Sequence, residues 1–428
     1  TPCGILPLAA GRAQWYGGEI MARGSTSSIE ALAADHPYRW AMLAGVWLLY
    51  ACFGLTAGSL APLVGPITRD LGIGYAAMGA VFGAWQLVYI VAAAPGGAAM
   101  DRFGPRRTLF VATMVIVASG LLRASAESYG FLLFAVAIFG LGGPLISVGA
   151  PKVIALWFEG KDRAFAMGVY ITGPSLGMIS GLAFTNPVLM PLFDQDWRMV
   201  LSVYAGVTAL AAFVWLVLSA HPEARAIERR LAAEPRQPQM LVYKELLRLP
   251  TVRLMLLLSV GVFFFNHGLN NWLPTLLRTS GLEPKAADLW AMIPTLIGVA
   301  GSLLIPRLAT PERRFHVLIG LLVAALAATV LLHSDPGPML GLGLAMQGIA
   351  RSSLMTVAIL ILVEMPEIGP RRAGAASGLF FSAAEIGGVT GPLALGAISE
   401  ATGGFTLALY ALSGVIVTLM LLTLRLKR

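Results

Sequence analysis

GGAAMDRFGPRR, residues Gly96 to Arg107, is a short charged stretch between two long apolar runs. It holds one acidic and three basic side chains, and its glycines and proline favour a turn. The runs on either side, Tyr75–Ala99 and Thr108–Leu122, have the composition of helices that cross the ~30 Å hydrocarbon core of a bilayer. The stretch therefore indicates a loop at a membrane surface that joins two membrane spans.

The composition of the whole chain supports a membrane protein. Hydrophobic residues make up 57% of the 428 residues and charged residues only 12%. A soluble domain is nearer to half apolar and a quarter charged, so a soluble chain of this kind would expose large apolar patches. The two cysteines, Cys3 and Cys52, cannot form a disulfide framework.

Apolar windows of about 20 residues predict twelve spans along the chain. One long polar stretch, at 221–250, divides them six plus six, which predicts an all-α membrane protein with two six-helix bundles. The predicted domains are an N-terminal head at 1–36, bundles at 37–220 and 251–424, a cytoplasmic linker at 221–250 and a tail at 425–428. The head is polar, is expected to be disordered, and contains Met21 as a candidate start. In chain order, the twelve predicted spans are Trp40–Leu60, Tyr75–Ala99, Thr108–Leu122, Gly130–Pro151, Ala164–Phe184, Met199–Leu218, Leu254–Leu277, Leu289–Pro306, Val317–Leu332, Pro338–Val363, Ala373–Ile398 and Phe405–Leu424.

The basic residues predict the orientation of these spans. Of the 30 lysines and arginines, 24 lie in the head, in the even-to-odd loops or in the tail, and five lie in the odd-to-even loops. Since basic loops stay on the cytoplasmic side, both termini and the linker are expected in the cytoplasm, with the protein in the cell (inner) membrane. The net charge of +8 is then a topology signal, and no nucleic-acid partner is expected.

The two halves look like repeats of one another. RAFAMG, from Arg163, leads to GPSLG in the fifth span, and RAGAASG, from Arg372, leads to GPLALG in the eleventh. Gly-Pro pairs permit bending or close packing of membrane helices. Repeated halves with interrupted helices are typical of secondary transporters. The predicted helix breaks are Gly173, Pro174, Gly391 and Pro392.

The charged loop and the six-plus-six pattern resemble the major facilitator superfamily. Pro105 replaces a residue that is usually basic in the family loop. The resemblance implies the major facilitator fold and a gating role, in which Asp101 meets the start of the eleventh span near Ala373. That helix N-terminus carries partial positive charge, which suits an acidic partner. The residues that match the family loop are Gly97, Asp101, Arg102, Gly104, Arg106 and Arg107.

A looser resemblance concerns the branch of the family. NHGLNNWLPTLL in the seventh span and PKVIALWF in the fourth are similar to cyanate-permease-like and nitroimidazole-transporter-like members from bacteria. This resemblance implies a small organic solute that is often anionic.

Three ionisable side chains lie deep within the predicted spans: His267, Arg351 and Glu385. Arginine keeps its charge, and at the bilayer centre it costs about 2.5–3.5 kcal/mol on insertion scales. We expect Glu385, at the same depth in the next span, to pair with Arg351. One interpretation is a structural ion pair. The other is that Arg351 binds an anionic solute while Glu385 serves as counter-ion or proton carrier. His267 is a second coupling candidate or a neutral core residue.

The resemblance also implies that the first, fourth, seventh and tenth spans line a central cavity. Polar side chains at suitable depths are then candidates for substrate binding, and each could instead pack between helices. These candidates, beside Arg351 and His267, are Gln347, Asn266, Asn270, Tyr50, Gln86, Tyr89 and Tyr170.

The predicted function is secondary active transport of a small organic anion by alternating access. No GxxxxGK[ST] phosphate loop occurs, so ion or solute gradients would supply the energy, and the proton is a candidate coupling ion. An exporter of drugs or metabolites is the alternative, although the glycine spacing in the fifth span departs from the antiporter motif. Five scattered histidines build no metal site, so no enzyme, metal or cofactor is expected. The chain is expected to be a monomer whose partners are its solute, protons and the lipid bilayer.

Overall fold

The computed structural model describes residues 37–426 except 159, 232–239, 311, 364 and 366, and the predicted head at 1–36 lies outside them. All regular structure in this part of the chain is helical. The first half contains helices at Arg39–Gly58, Val64–Leu71, Tyr75–Phe103, Pro105–Ala124, Tyr129–Trp157, Gly160–Tyr170, Thr172–Phe184 and Trp197–Leu218. Two short helices, Pro222–Leu231 and Met240–Leu246, lie in the linker region. The second half contains Pro250–Thr279, Pro284–Ala291, Ile293–Leu304, Arg314–Leu331, Pro338–Val363, Gly369–Thr402 and Thr406–Leu426.

The predicted all-α membrane fold is confirmed. Within the described residues, eleven helical segments are long and apolar enough to cross a membrane. The eighth predicted span is instead built from two shorter helices, Pro284–Ala291 and Ile293–Leu304. Pro294 lies in the first turn of the second of these helices, where its missing N–H costs least. Two short helices in sequence therefore replace one long helix at this span.

Glycines let the helices pack in matched pairs in the two halves. The fifth span lies so close to the first that a Cβ on Gly177 would lie 1.9 Å from the carbonyl oxygen of Ala51. In the second half, a Cβ on Gly387 would lie 1.9 Å from the carbonyl oxygen of Val260. Only glycine fits such backbone contacts. The glycines of the repeated Gly-Pro pairs, Gly173 and Gly391, also face the backbones of spans one and seven, so spans five on one and eleven on seven pack equivalently.

The predicted helix breaks differ between the halves. The fifth span is interrupted at Ile171, between the helices that end at Tyr170 and begin at Thr172, just before Gly173 and Pro174. The eleventh span is one helix from Gly369 to Thr402, so the predicted break at Gly391 and Pro392 is wrong. A membrane helix tolerates proline when neighbours supply compensating contacts. The side chain of Trp272 ties span seven to this part of span eleven, since its Nε1 donates to the carbonyl oxygen of Pro392 at 2.8 Å.

Spans two and eleven join the two halves of the chain. A Cβ on Gly79 would lie 2.5 Å from the carbonyl oxygen of Pro392, and one on Gly83 would lie 2.8 Å from that of Val389. Span ten packs mainly against spans eight and nine and makes smaller contacts with spans seven and eleven. This arrangement decides which way the charged groups in spans ten and eleven can point.

Candidate substrate cavity and the contacts that close it

A cavity of about 240 Å³ lies between the two halves at the depth of Arg351. It is smaller than the ~300–1,000 Å³ pockets that hold drug-sized ligands. Its lining residues come from spans one, two, five, seven, eight and ten. They are Ala57, Trp85, Ile171, Ser175, Met178, Phe263, Asn266, His267, Asn270, Asn271, Pro294, Thr295, Gly298, Ser302, Gly348, Arg351, Ser352, Met355 and Thr356.

The two walls of this cavity differ in chemistry. The first half contributes mainly apolar side chains, among them Trp85, Ile171 and Met178. The second half contributes asparagines, hydroxyl groups, His267 and the guanidinium of Arg351. A ligand that fills the cavity therefore meets hydrogen-bond donors and positive charge on one side and apolar surface on the other.

Arg351 contacts neutral groups inside the cavity. Its Nη1 donates to Oγ1 of Thr295 at 3.1 Å, and its Nη2 lies 3.8 Å from the sulfur of Met178. Nδ2 of Asn266 donates to the backbone carbonyl of Arg351 at 3.2 Å. Among the described residues, no carboxylate lies within ion-pair distance of this guanidinium. Arg351 thus presents positive charge to the cavity without an acidic partner there.

The predicted ion pair between Arg351 and Glu385 is wrong. The carboxylate is not within 4.0 Å of the guanidinium, although both side chains belong to the described part of the chain. Span ten turns Arg351 towards Thr295 in span eight, whereas span eleven packs on spans two and seven and carries Glu385 there. The two charges share a depth but point towards different neighbours.

Glu385 belongs to a second polar group, at the contact between spans two, seven and eleven. Its side chain is 5% exposed, and its Oε2 has no hydrogen-bond partner. Nε2 of Gln86 lies 3.3 Å from Nδ1 of His267, and Oε1 of Gln86 is also unpartnered. A Cβ on Gly388 would lie 2.7 Å from Oε2 of Glu385, 3.1 Å from Cγ of Gln86 and 3.6 Å from the His267 ring. These groups therefore surround one small space between the halves.

The structure brings together only some of the predicted binding residues. Arg351, His267, Asn266 and Asn270 all line the cavity. Five further candidates lie outside its lining: Gln86 and Gln347 are buried, Tyr89 is buried beside Trp85, and Tyr50 stacks on Tyr170 with ring centroids 5.6 Å apart.

Several cavity residues were not predicted from the sequence. Thr295 and Ser352 occur in apolar spans as ordinary hydroxyl residues, and Trp85 and Met178 look like core residues. Only their position against Arg351 or its cavity distinguishes them. Asn271 was indicated by the sequence, because it continues the polar run of Asn266 and Asn270 along the seventh span, and it also lines the cavity.

Hydrogen bonds across the halves close one end of the cavity. We name this the Arg278 end, after the side chain whose Nη2 donates to the carbonyl of Pro62 at 2.8 Å and lies 2.9 Å from Oδ1 of Asp288. Nδ2 of Asn186, in the first half, also donates to the Asp288 carboxylate. Asp288 is fully buried. At the same end, Oε2 of Glu400 accepts from the backbone N–H of Ala76 at 2.7 Å.

The charged loop at Gly96–Arg107 lies at the opposite end. Gly104 has φ of 80°, a left-handed conformation that favours glycine, and Pro105 then begins the next helix. The backbone carbonyl of Arg106 accepts from Nε1 of Trp215 at 3.0 Å. The structure describes the backbone at Asp101 and Ala373 but not their side chains, so the predicted gating contact stays a prediction.

Comparison with known proteins shows to which family this chain belongs. The profile of the Major Facilitator Superfamily matches residues 46–338, more than half of the chain. The chain belongs to the major facilitator superfamily. As a member, it is a multi-pass membrane transporter. The narrower resemblance to cyanate-permease-like and nitroimidazole-transporter-like proteins stays a prediction.

Three relatives of this major facilitator chain span most of its length. The hexuronate transporter of Bacillus subtilis (strain 168) is 26% identical over 382 residues, which cover 85% of this chain and 88% of the relative. The D-galactonate transporter of Escherichia coli O6:H1 is 24% identical over 414 residues, covering 88% and 93%. The quinolone resistance transporter of Acinetobacter baumannii is 26% identical over 381 residues, covering 83% and 86%. All three are transporters and not enzymes.

A solved structure shares the fold. The crystal structure of the nucleoside transporter NupG superposes with a TM-score of 0.74 at 14% identity, covering 92% of this chain and all of that one.

The stretch GPSLG, from Gly173, matches the G-x-S-x-G pattern of a nucleophile motif. Ser175 lies inside a membrane helix, however, and not on the strand-to-helix turn that exposes such a serine. Within the described residues, no three His, Cys, Asp or Glu side chains cluster to hold a metal.

Proposed function

We propose that this transporter carries small organic monoanions of the sugar-acid type by alternating access. The observation that supports this most strongly is Arg351, whose guanidinium faces the cavity without an acidic partner there. A guanidinium presents paired donors that match a carboxylate. Two relatives that span most of the chain are named for hexuronate and D-galactonate, which are hydroxylated carboxylates.

The surroundings of Arg351 favour a hydroxylated monoanion. Thr295, Asn270 and Ser352 line the same wall and can pair with substrate hydroxyl groups. Arg351 is the one lysine or arginine among the described residues that line the cavity. A second carboxylate on the substrate would therefore be buried in the cavity without a matching positive charge, which is costly.

Counterflow into proteoliposomes tests this proposal. Vesicles containing the purified transporter and unlabelled D-galactonate or D-glucuronate are expected to take up the labelled acid. Galactitol, which lacks the carboxylate, and glucarate, which carries two carboxylates, should compete at least about tenfold less well, since one unmatched buried charge costs more than 1.4 kcal/mol. Equal competition by galactitol would contradict an anion site, and equal competition by glucarate would contradict the monoanion class.

We further propose that Glu385 carries a coupling proton. A carboxylate buried between the halves without a cationic partner is costly, so proton binding there is favoured. We expect Glu385→Gln to retain counterflow but to lose substrate accumulation driven by an imposed pH gradient. Glu127→Gln is the matched control, because Glu127 is exposed in the turn between the helices that end at Ala124 and begin at Tyr129. Gradient-driven accumulation by Glu385→Gln at the wild-type level would exclude this role.

An exporter is the second candidate function. It is favoured by the relative from A. baumannii, which is named for quinolone resistance. The apolar wall at Trp85, Ile171 and Met178 would suit an aromatic drug. If a quinolone blocks counterflow more strongly than D-galactonate does, this candidate is preferred.

The remaining parts of the proposal follow the sequence. We propose two six-helix bundles at 37–220 and 251–424, with the linker and both termini in the cytoplasm and the protein in the plasma membrane. The excess of basic residues in the even-to-odd loops supports this orientation. Gating by Asp101 at the cytoplasmic end belongs to the same proposal.

A further inference from the structure

Two hydrogen-bond donors of the second half converge on one sulfur atom of the first half. Nδ2 of Asn270 lies 3.4 Å from the sulfur of Met178, and Nη2 of Arg351 lies 3.8 Å from the same atom. Asn270 belongs to the seventh span, Arg351 to the tenth and Met178 to the fifth. The sulfur is therefore the point at which three helices from both halves meet.

A thioether is a poor partner for these donors. Methionine sulfur is a weak acceptor, whereas a carboxylate oxygen forms short, strong bonds with a guanidinium. The other terminal nitrogen of Arg351 is already held by Oγ1 of Thr295 at 3.1 Å, which fixes the plane of the guanidinium. A carboxylate oxygen in place of the sulfur would accept from both Arg351 and Asn270.

We propose that the sulfur of Met178 occupies the subsite of the substrate carboxylate and is displaced when substrate binds. This inference rests on the proposed function. Methionine suits such a role because its unbranched chain has several rotatable bonds. Displacement also breaks a contact between the halves, so substrate binding and release of the fifth span from spans seven and ten become one event.

The packing behind Met178 restricts how it leaves. A Cβ on Gly58, at the end of the first helix, would lie 3.0 Å from Cγ of Met178. Glycine at this position leaves the space into which the side chain fits. While the sulfur holds the subsite, only the fraction of molecules with Met178 displaced binds substrate, and the measured affinity falls by that fraction.

Two substitutions of Met178 test the subsite in opposite directions. Met178→Leu keeps an apolar side chain of similar volume but removes the acceptor, so we expect the affinity for D-galactonate to rise about threefold to tenfold. Met178→Gln keeps an unbranched side chain and places a stronger carbonyl acceptor at the donors, so we expect affinity to fall by a similar factor. Met114→Leu is the control, since Met114 is 41% exposed on the third span and lies outside the cavity lining. Its affinity should not change.

Calorimetric titration of the purified variants separates this inference from the function on which it rests. If both Met178 variants bind D-galactonate as the wild type does, or if Met178→Gln binds more tightly, the subsite is overturned while the proposed function stands. If Arg351→Lys binds as the wild type does, or the wild type binds no D-galactonate, the proposed function itself fails. Melting temperatures of the variants show whether each is folded. If Met178→Leu does not fold, the affinity of Met178→Gln alone decides whether the subsite is correct.

Discussion

Replacing Arg351 by lysine is expected to lower the affinity for D-galactonate by at least about thirtyfold while leaving the protein folded. Lysine keeps the positive charge but loses the planar pair of donors that fits a carboxylate. Its ammonium also cannot contact Thr295 and the subsite at Met178 in the same geometry. Truncating one partner of a buried, hydrogen-bonded charge pair costs about 2–5 kcal/mol, which corresponds to about thirtyfold or more in affinity.

Arg351→Ala should remove binding altogether, since no other lysine or arginine lies among the described residues of the cavity lining. Arg198→Lys is the matched control. Its guanidinium binds the carbonyl of Ala126 and the carboxylate of Asp70 away from the cavity, so its replacement should affect stability and not affinity. Titration calorimetry measures the affinities. Wild-type affinity in Arg351→Lys would show that the substrate binds elsewhere.

Because Arg351 and Glu385 are not paired, their substitutions are expected to act independently. A structural ion pair would make Arg351→Ala worse than the double replacement with Glu385→Ala, since one charge would be left buried and unpaired. The two side chains instead point to different neighbours: Arg351 to Thr295, and Glu385 to the space around Gly388. Gradient coupling and anion binding can therefore be separated by mutation.

The sequence predicts those parts of the fold that depend on local pattern. Apolar length places the spans, and the repeated Gly-Pro pairs at Gly173 and Gly391 mark backbones in contact, because a larger side chain would meet the neighbouring backbone there. The depth of Arg351 and Glu385 within their spans was also predictable from the local sequence. Depth follows from counting residues along a helix, and counting needs no knowledge of the neighbouring helices.

The direction of a side chain around its helix was not predictable. It depends on which helices pack against the span. Span ten packs mainly against spans eight and nine, and Arg351 points to Thr295 in span eight and not to Glu385 in span eleven. The same limit explains why Thr295 and Met178 were missed. A hydroxyl and a thioether are common in membrane helices, and they become informative only when a guanidinium from another span reaches them.

Removing the side chain of Arg278 is expected to open the cavity at the Arg278 end. Nη2 of Arg278 crosses between the halves to the carbonyl of Pro62 and also neutralises the fully buried carboxylate of Asp288. In Arg278→Ala both interactions are lost, and among the described residues Asn186 is then the one remaining hydrogen-bond partner of the Asp288 carboxylate. Uncompensated buried charges cost about 3–5 kcal/mol, and water reaches Asp288 when the halves separate there. Conformations open at this end should therefore become more populated.

Maleimide labelling measures this opening. Ser175→Cys, in the cavity lining, is introduced after Cys3 and Cys52 are replaced by alanine, and an impermeant maleimide is added from the Arg278 end. We expect labelling to be at least about tenfold faster in Arg278→Ala. Arg69→Ala is the matched control, because Arg69 lies at the same end and its Nε donates to Gly65 within its own helix. The double change Arg278→Leu with Asp288→Leu leaves no unpaired charge, so its labelling should be slower than that of Arg278→Ala. Equal labelling of Arg278→Ala and the wild type would mean that spans two and eleven, with their backbone contacts at Gly79 and Gly83, hold this end closed without the charged network.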